Sequence, residues 1–385
     1  MKSYSKWPEF SDCEGDLVRE VLLSNRVNYW TGDKGKAFEK AFSEYVGTAH
    51  GIAVANGTLA LELALRAVGV KAGDEVIVPA RTFMATASAV AVLGAIPIFA
   101  DLDIESQNIS AETIAPLINN KTAAVICVHL AGMPCDMAPI MALAQKHSIK
   151  VIEDCAQAHG AMYQGKRVGS IGDVGAWSFC QDKIMTTGGE GGMITTNNKE
   201  YFDTMWSFKD HGKSFDTVYN KAHPPGFRWL HESVGSNYRM TEMQAALGLY
   251  QLSQLESWVA RRAEIAHKID AVLAEYPFIR RLKLPSQQRH AYYRCYAFWE
   301  HKAVMRDEFL SECKALGIPV DQGACPEVYL ERAFENTASK PKQRLENAKQ
   351  LGETSLMFLV HPNLSDDEVE DICCSLSTVL TKVNQ

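Results

Sequence analysis

A lysine and a carboxylate each follow an apolar stretch that predicts a buried strand in this 385-residue chain. Lys183 follows the stretch that ends at Phe179, and a glycine-rich turn comes after it. Asp154 follows the run Val151-Ile152-Glu153. An unpartnered carboxylate at a buried strand end is costly, so Asp154 needs a cation or a hydrogen-bond donor. A carboxylate that holds a pyridinium and a lysine that forms a Schiff base are what pyridoxal phosphate (PLP) requires.

The turn Asn56-Gly57-Thr58 is a candidate site for the phosphate of such a cofactor. It connects a predicted strand to a predicted helix. Backbone N–H groups at the positive end of a helix favour a dianion, Gly57 permits a close approach, and the Thr58 hydroxyl can donate. Three simpler interpretations stay open: an ordinary turn at residues 56–58, a helix N-cap at Asp154 and a surface lysine at Lys183.

Apolar runs alternate with helical patterns between residues 50 and 196, which predicts a mainly parallel, doubly wound α/β sheet. The predicted strands are residues 51–55, 75–79, 96–100, 123–129, 150–153, 174–179 and 192–196. The predicted helices between them are residues 58–68, 83–93, 111–118 and 137–147. Ligands of such sheets bind at the carboxyl ends of the strands. That rule points to Asn56-Gly57-Thr58, Thr82-Phe83, Asp101, His129 and Asp154.

The second half of the chain has a different pattern. Residues 209–231 are rich in Lys, His and aromatic side chains and predict a long loop. A helical block at 241–274, a strand at 292–299, a helix at 307–316 and a helix from about residue 365 follow. We therefore expect a large PLP-binding domain at residues 1–255, with the N-terminal segment included, and a smaller α+β domain at residues 256–385.

Composition and charge exclude several classes of protein. With 46% hydrophobic and 22% charged residues, the chain is neither disordered nor collagen-like. A net charge of −7 opposes nucleic-acid binding. The uncharged stretch 82–100 favours a helix and a buried strand over a membrane span. No secretory pattern and no CxxC pair are visible, so we expect a cytoplasmic protein with reduced thiols and no metal.

Segments spread over nearly the whole chain resemble the DegT/DnrJ/EryC1/StrS family of PLP-dependent sugar aminotransferases. They are Tyr29-Trp30-Thr31-Gly32, Phe38-Glu39, NGTLALELAL (56–65), PARTFMATASAV (79–90), VIEDCAQAHGA (151–161), the Lys183 segment and Gly235-Ser236-Asn237-Tyr238-Arg239-Met240. The last two are distinctive of the family, although Gly188-Gly189 is one glycine longer than its commonest form. The resemblance implies a fold-type-I PLP transferase with a mainly parallel seven-stranded sheet and a smaller C-terminal α+β domain.

The resemblance also implies a role for each candidate residue. These roles are a covalent bond to PLP for Lys183, the pyridine nitrogen for Asp154, the ring hydroxyl for Gln157, ring stacking for Phe83, and the phosphate for Gly57, Thr58 and Ser178. Asn237 would reach the phosphate in the neighbouring subunit, so the functional unit resembles a homodimer with shared active sites.

The implied activity is transfer of an amino group to a keto- or aldehydo-sugar, with L-glutamate as the expected donor. The sugar is most often nucleotide-linked in this family, and the product serves amino-sugar and surface-polysaccharide biosynthesis, including lipopolysaccharide. The basic, aromatic segment 209–231 favours an anionic sugar. The candidate substrate contacts are Arg81, Lys213, Arg228 and Tyr29.

Four alternatives stay open at this point. They are a transaminase of a free 3-deoxy-octulosonate-type sugar acid, a PLP-dependent sugar dehydratase, a non-catalytic regulatory relative and a nucleotide-phosphate-binding protein. Dehydratases of the family place His at the position of Lys183, so the lysine favours transamination. The TTGGEGG run lacks the GxxxxGK[ST] arrangement of a nucleotide-binding phosphate loop.

Overall fold

The computed structural model describes residues 4–384 and shows an α/β fold. Its strands are β1 (His50–Val54), β2 (Glu75–Pro79), β3 (Ile96–Ala100), β4 (Thr122–Val128), β5 (Lys150–Asp154), β6 (Met162–Tyr163), β7 (Lys166–Arg167), β8 (Val174–Ser178), β9 (Gly192–Thr196), β10 (Ile279–Arg281), β11 (Gln288–Arg289), β12 (Cys295–Trp299), β13 (Val320–Asp321) and β14 (Ser355–Phe358). Its helices are α1 (Asp12–Leu23), α2 (Lys34–Val46), α3 (Gly57–Ala67), α4 (Met84–Val92), α5 (Ala111–Ile114), α6 (Met137–His147), α7 (Lys199–Lys209), α8 (Phe215–Tyr219), α9 (Glu242–Leu273), α10 (Arg306–Ala315), α11 (Glu346–Thr354) and α12 (Asp366–Val383).

The large sheet has seven strands in the order β1-β9-β8-β5-β4-β2-β3. Strand β9 is antiparallel to both of its neighbours, and the pairs from β8 to β3 are parallel. Six strands therefore run in one direction and end at the same edge. This confirms the mainly parallel seven-stranded sheet. Strands covered on both faces need apolar residues throughout, and every residue of β8 and β9 is buried.

The predicted elements agree closely with the observed ones, and two differences have physical causes. The bounds of β2, β3, β9 and α6 are as predicted. The predicted helix 111–118 divides into α5 and a 3-10 turn, Ala115–Leu117, because Pro116 has no N–H to continue the α-helix. The predicted loop 209–231 contains the five-residue helix α8, which Ser214 caps by accepting the Thr217 N–H at 3.2 Å.

The smaller α+β unit that the sequence predicts contains an antiparallel sheet in the order β10-β12-β14-β13, which packs with α10 and α12. Helix α9 joins it to the large sheet. Leu255 and Val259 of α9 pack in a core with strand β8, whereas Ile265 and Ile269 pack in the core of the smaller sheet. The predicted domain boundary between residues 255 and 256 falls inside this helix and stays a prediction.

The uncharged stretch 82–100 forms α4 and the buried strand β3, as the sequence predicts. Among residues 4–384, no helix has both the length and the apolar character needed to cross a bilayer. All ten cysteines are free thiols, and Cys127, Cys135 and Cys155 are packed in the cores.

Candidate active site

A pocket of about 710 Å³ lies at the carboxyl ends of the parallel strands. It brings together seven residues that the sequence analysis singled out for the cofactor. They are Gly57, Thr58, Phe83, Asp154, Gln157, Ser178 and Lys183. They come from the ends of four different strands, β1, β2, β5 and β8, so the topology of the sheet assembles the pocket.

One end of the pocket is the N-terminus of α3. The Asn56 side chain caps this helix by accepting the Leu59 N–H at 3.0 Å. A Cβ atom on Gly57 would lie 2.6 Å from Cβ of Ser178, so only glycine lets α3 approach β8 this closely. The Gly57 and Thr58 amides at the positive helix end, beside the Ser178 hydroxyl, form a site suited to a phosphate.

Asp154 lies at the end of β5 and is buried. Its Oδ2 accepts a hydrogen bond from Thr86 Oγ1 at 2.9 Å, and its Oδ1 accepts the Ala156 N–H at 3.2 Å. Burial raises the pKa of Asp154 although both hydrogen bonds act to lower it. The chain turns without forming a helix after Asp154, so the helix N-cap interpretation is wrong. The carboxylate retains lone pairs for a cation in the pocket.

Two further side chains fix the middle of the pocket. The Gln157 Oε1 accepts the backbone N–H of Ala131 at 2.8 Å, which orients its amide group. Phe83 precedes α4 and is 70% exposed, an unusual exposure for a large aromatic ring. An exposed ring in a pocket is available to stack on a planar ligand.

Lys183 lies in the turn after β8 with its side chain only 16% exposed. Its Nζ donates to Asp182 Oδ1 at 2.9 Å and lies 3.5 Å from the hydroxyl of Tyr293. Burial acts to lower the pKa of Lys183, but the surrounding groups, among them the hydrogen-bonded carboxylate of Asp182, outweigh it, and the net pKa is raised. The backbone carbonyl of Lys183 accepts the indole N–H of Trp7 at 2.7 Å.

Behind β5, a buried cluster of His129, Glu153 and Cys155 has the composition of a metal site. The Glu153 carboxylate accepts four hydrogen bonds at 2.7–3.0 Å, from His129 Nε2 and from the backbone of Gly169, Ile171 and Gly172. His129 Nδ1 accepts the Cys135 N–H at 3.0 Å, so Nε2 carries the ring proton. With these atoms engaged, the cluster is a hydrogen-bond network and not a ligand set.

Two of the four predicted substrate contacts, Arg81 and Tyr29, are buried outside this pocket, and their predicted roles stay predictions. Arg81 is 1% exposed and donates to Ser355 Oγ at 2.9 Å, because the C-terminal half of the chain covers it. Tyr29 is 3% exposed and donates to Glu39 Oε2 at 3.0 Å. Both side chains pack within their own chain and do not line the pocket.

The other two predicted contacts and Asn237 lie on the segment after α7. Lys213 donates to Asp210 at 3.0 Å, with its Nζ 4.1 Å from the ring centre of Trp30, and Arg228 is exposed. Asn237 is exposed, and its backbone forms an isolated antiparallel β-bridge with Asp210. None of these three side chains lines the pocket of its own chain. Their predicted roles stay predictions.

Sequence reasoning missed several residues around the candidate lysine and carboxylate. Asp182 directly precedes Lys183 in the sequence, so a contact between the two side chains could have been predicted. Thr86 lies one helical turn after Thr82, and its hydroxyl faces Asp154. Tyr293 and Trp7 are distant in sequence from Lys183, and no local pattern marks them.

Comparisons with known proteins extend over nearly the whole chain. The sequence model of the DegT/DnrJ/EryC1/StrS aminotransferase family matches residues 10–377. A GDP-perosamine synthase from Caulobacter vibrioides is 35% identical over 378 residues, which are 97% of each chain. The solved structure of an aminotransferase from Psychrobacter cryohalolentis is 51% identical, with a TM-score of 0.98 and 100% of both chains covered. A Streptococcus pneumoniae protein assigned as a sugar aminotransferase, solved in its PLP form, is 26% identical, with a TM-score of 0.87 over 99% of both chains.

Proposed function

Because the chain belongs to the DegT/DnrJ/EryC1/StrS aminotransferase family, we propose that it is an aminotransferase that uses PLP to aminate a sugar carbonyl. One observation carries this proposal. A lysine amine, a buried carboxylate and a helix N-terminus share one pocket of about 710 Å³. The known activity of the family and the names of the similar proteins support this activity.

The residues of the pocket fit PLP on three grounds. The buried Asp154 has a raised pKa and lone pairs free for a cation, which a pyridinium nitrogen supplies. The space that a Cβ on Gly57 would fill lets the α3 amides and Ser178 hold a phosphate. Lys183 Nζ is the amine placed to bond to the cofactor aldehyde, and Phe83 and Gln157 would contact the ring and its hydroxyl.

When bound, PLP supplies an electron sink that stabilises negative charge on the carbon next to the amino group. Asp154 keeps the ring nitrogen protonated by offering it a buried negative charge. Lys183, once free, takes the proton from the Cα of the amino donor and later returns a proton to the sugar carbon. Because the donor's keto acid leaves before the sugar binds, we expect ping-pong kinetics.

The proposed donor is L-glutamate, and the proposed acceptor is a nucleotide-linked keto-sugar. The name of the 35% identical GDP-perosamine synthase supports a nucleotide-linked acceptor. The proposed role is amino-sugar biosynthesis for surface polysaccharide, including lipopolysaccharide. A free 3-deoxy-octulosonate-type sugar acid is the alternative acceptor.

We further propose a cytoplasmic homodimer with shared active sites. Asn237 and the exposed rings of Phe227 and Trp229 lie on one segment that leaves the pocket of its own chain. Large exposed apolar groups on one segment favour a protein interface. In a C2 dimer this segment would supply Asn237 to the neighbouring phosphate site.

Borohydride reduction tests the cofactor and its lysine. The purified protein with PLP should absorb in the visible range, and reduction should fix the cofactor to the peptide that contains Lys183. Lys183→Ala should bind PLP without the covalent bond and lose turnover. An adduct on another lysine would refute the site, and absence of sugar amination across a panel of keto-sugars would refute the activity.

Mixing two inactive variants tests the shared site. Lys183→Ala and an impaired Asn237→Ala should regain activity in heterodimers, because one of the two sites is then intact at both positions. Mass spectrometry of differently tagged chains verifies that subunits exchange. With exchange established, activity no greater than the sum of the parents would mean that Asn237 acts within its own chain.

A further inference from the structure

Lys183 Nζ belongs to a four-residue polar cluster that joins the two halves of the chain. Asp182 Oδ1 accepts Lys183 Nζ at 2.9 Å, and the Tyr293 hydroxyl donates to Asp182 Oδ2. Arg294 Nη2 lies 3.7 Å from the same Oδ2 and 3.4 Å from the Tyr293 hydroxyl. Asp182 and Lys183 follow β8 of the large sheet, whereas Tyr293 and Arg294 precede β12 of the smaller one.

The charges of the cluster place one carboxylate between two cations. Burial raises the pKa of Tyr293, so its phenol is neutral and acts as a donor. Burial raises the pKa of Asp182, but the Lys183 charge, the Tyr293 hydrogen bond and the Arg294 charge outweigh it, so the net pKa is lowered. Asp182 therefore stays ionised, and it keeps the partners Tyr293 and Arg294 when the lysine amine moves away.

We propose that Asp182, held by Tyr293, is a positioning residue that fixes the free amine of Lys183 and stabilises its protonated form. The proposal rests on the proposed function in one respect, because that activity requires a lysine that holds a proton during each half-reaction. As the Cα–H bond of the donor breaks, the Nζ–H bond forms, and the electron pair left on carbon would be delocalised into the bound cofactor. A carboxylate 2.9 Å from Nζ favours that transfer because it stabilises the ammonium product.

The amine's proton affinity can be measured in the cofactor-free protein, without any turnover. Competitive acetylation across a pH range, read by mass spectrometry of the Lys183 peptide, gives the pH midpoint of the amine. The titratable or charged groups that act on this amine from the surrounding elements are Asp182, Tyr293, Arg294, Cys180, Asp154 and His159. Among them, Asp182 should have the dominant effect, because its ionised carboxylate lies 2.9 Å from Nζ.

In Asp182→Asn, the midpoint of Lys183 should fall by about half to one pH unit, since Asp182 is 50% exposed and partly screened. Its acetylation rate below the midpoint should rise about three- to tenfold. Asp182→Glu keeps the charge and should restore most of the wild-type midpoint. The control Asp203→Asn removes an exposed carboxylate 2.6 Å from Lys199 and should leave Lys183 unchanged.

Tyr293→Phe separates charge from packing, because it removes only the hydroxyl that donates to Asp182. The carboxylate is then less neutralised, so the Lys183 midpoint should stay constant or rise. An Asp182→Asn midpoint equal to wild type, or a fall in Tyr293→Phe equal to that in Asp182→Asn, would overturn the proposal. Circular dichroism confirms that each variant is folded, and Tyr293→Phe and Asp182→Glu decide the matter if Asp182→Asn is not.

A kinetic readout connects the cluster to the reaction. With a donor deuterated at Cα, Asp182→Asn should show a larger isotope effect on loss of the bound cofactor's visible band, because proton removal becomes slower. An unchanged isotope effect would refute the kinetic role. If the wild-type protein converts no amino donor, the proposed function fails, but the acetylation midpoints still decide the role of Asp182.

Discussion

The two faces of strand β5 each carry a buried carboxylate, and the two carboxylates differ in the number of hydrogen bonds that they accept. Glu153 faces the back of the sheet and Asp154 faces the pocket, because successive residues of a strand point to opposite faces. Both are buried, at 0% and 5% exposure. Glu153 accepts four hydrogen bonds, whereas Asp154 accepts two.

The pKa values of the two carboxyl groups move in opposite directions for this reason. Burial raises the pKa of Glu153, but hydrogen bonds from His129, Gly172 and Gly169 outweigh it, so the net pKa is lowered. Burial raises the pKa of Asp154 as well, and the two hydrogen bonds that its carboxylate accepts do not outweigh burial, so the net pKa is raised. Burial alone therefore does not identify a functional carboxylate. Unused hydrogen-bonding capacity that faces a pocket does.

The largest expected effect is the loss of turnover in Asp154→Asn. The amide keeps the shape of the side chain but removes the charge that we propose holds the pyridinium, so kcat should fall about 10³-fold, or about 4 kcal/mol. The unfolding free energy of the cofactor-free protein should change by less than about 1 kcal/mol. Steady-state kinetics and urea denaturation measure the two effects. Near-normal kcat would reduce Asp154 to a structural role.

Glu153→Gln should have the opposite profile. Its amide keeps one acceptor oxygen but turns an NH2 group toward two of the four donors, either His129 and Gly169 or Ile171 and Gly172, so the unfolding free energy should fall by about 3 kcal/mol. The kcat per folded molecule should stay within a few-fold of wild type. Glu256→Gln is the matched control, because Glu256 also accepts several hydrogen bonds but is 47% exposed, and it should cost about 1 kcal/mol or less. Equal destabilisation by both variants would contradict the comparison.

The smallest expected effect is a pH dependence of opposite sign for the two positions. Glu153, with its lowered pKa, contributes stability above its unfolded pKa and loses it as the pH falls through its folded pKa. The pKa of Asp154 is raised, so its contribution to the free energy of unfolding increases as the pH falls. The reason is that the folded state binds this proton at a higher pH than the unfolded state does. As the pH of the cofactor-free protein falls from about 7 to about 3, the free energy of unfolding of the wild type should therefore decrease relative to that of Glu153→Gln. Over the same range it should increase relative to that of Asp154→Asn. Denaturation at each pH measures both differences, and slopes of equal sign would refute the assignment.

The sequence predicted the large sheet and which of the candidate residues would lie close together, because both depend on local signals. Buried parallel strands are continuous apolar runs, so β2, β3 and β9 have the predicted bounds. The carboxyl ends of parallel strands converge, so Gly57, Asp154 and Lys183 share one pocket. The residues of β9 do not predict its antiparallel direction, since their pattern is that of any buried strand.

The substrate contacts were less predictable because distant segments decide where a charged side chain lies. Arg81 follows β2 as a pocket residue would, but Ser355 and Tyr296, from the C-terminal half, cover its guanidinium. Tyr293 reaches Lys183 through the packing of the two halves, and no spacing in the sequence marks that contact. Local patterns predict elements and their ends, whereas packing decides which groups meet across them.

The position of β9 between β1 and β8 affects when this part of the sheet can fold during synthesis. Val54 pairs with Gly192, and a Cβ on Gly192 would lie 2.4 Å from the Asn56 carbonyl oxygen. During synthesis from the N-terminus, β1 and the turn after it leave the ribosome long before β9 exists to hold them. A nascent chain that ends before Gly192 therefore contains residues 56–58 without the strand that packs against them, so we expect the proposed phosphate site to form only after β9 has been translated.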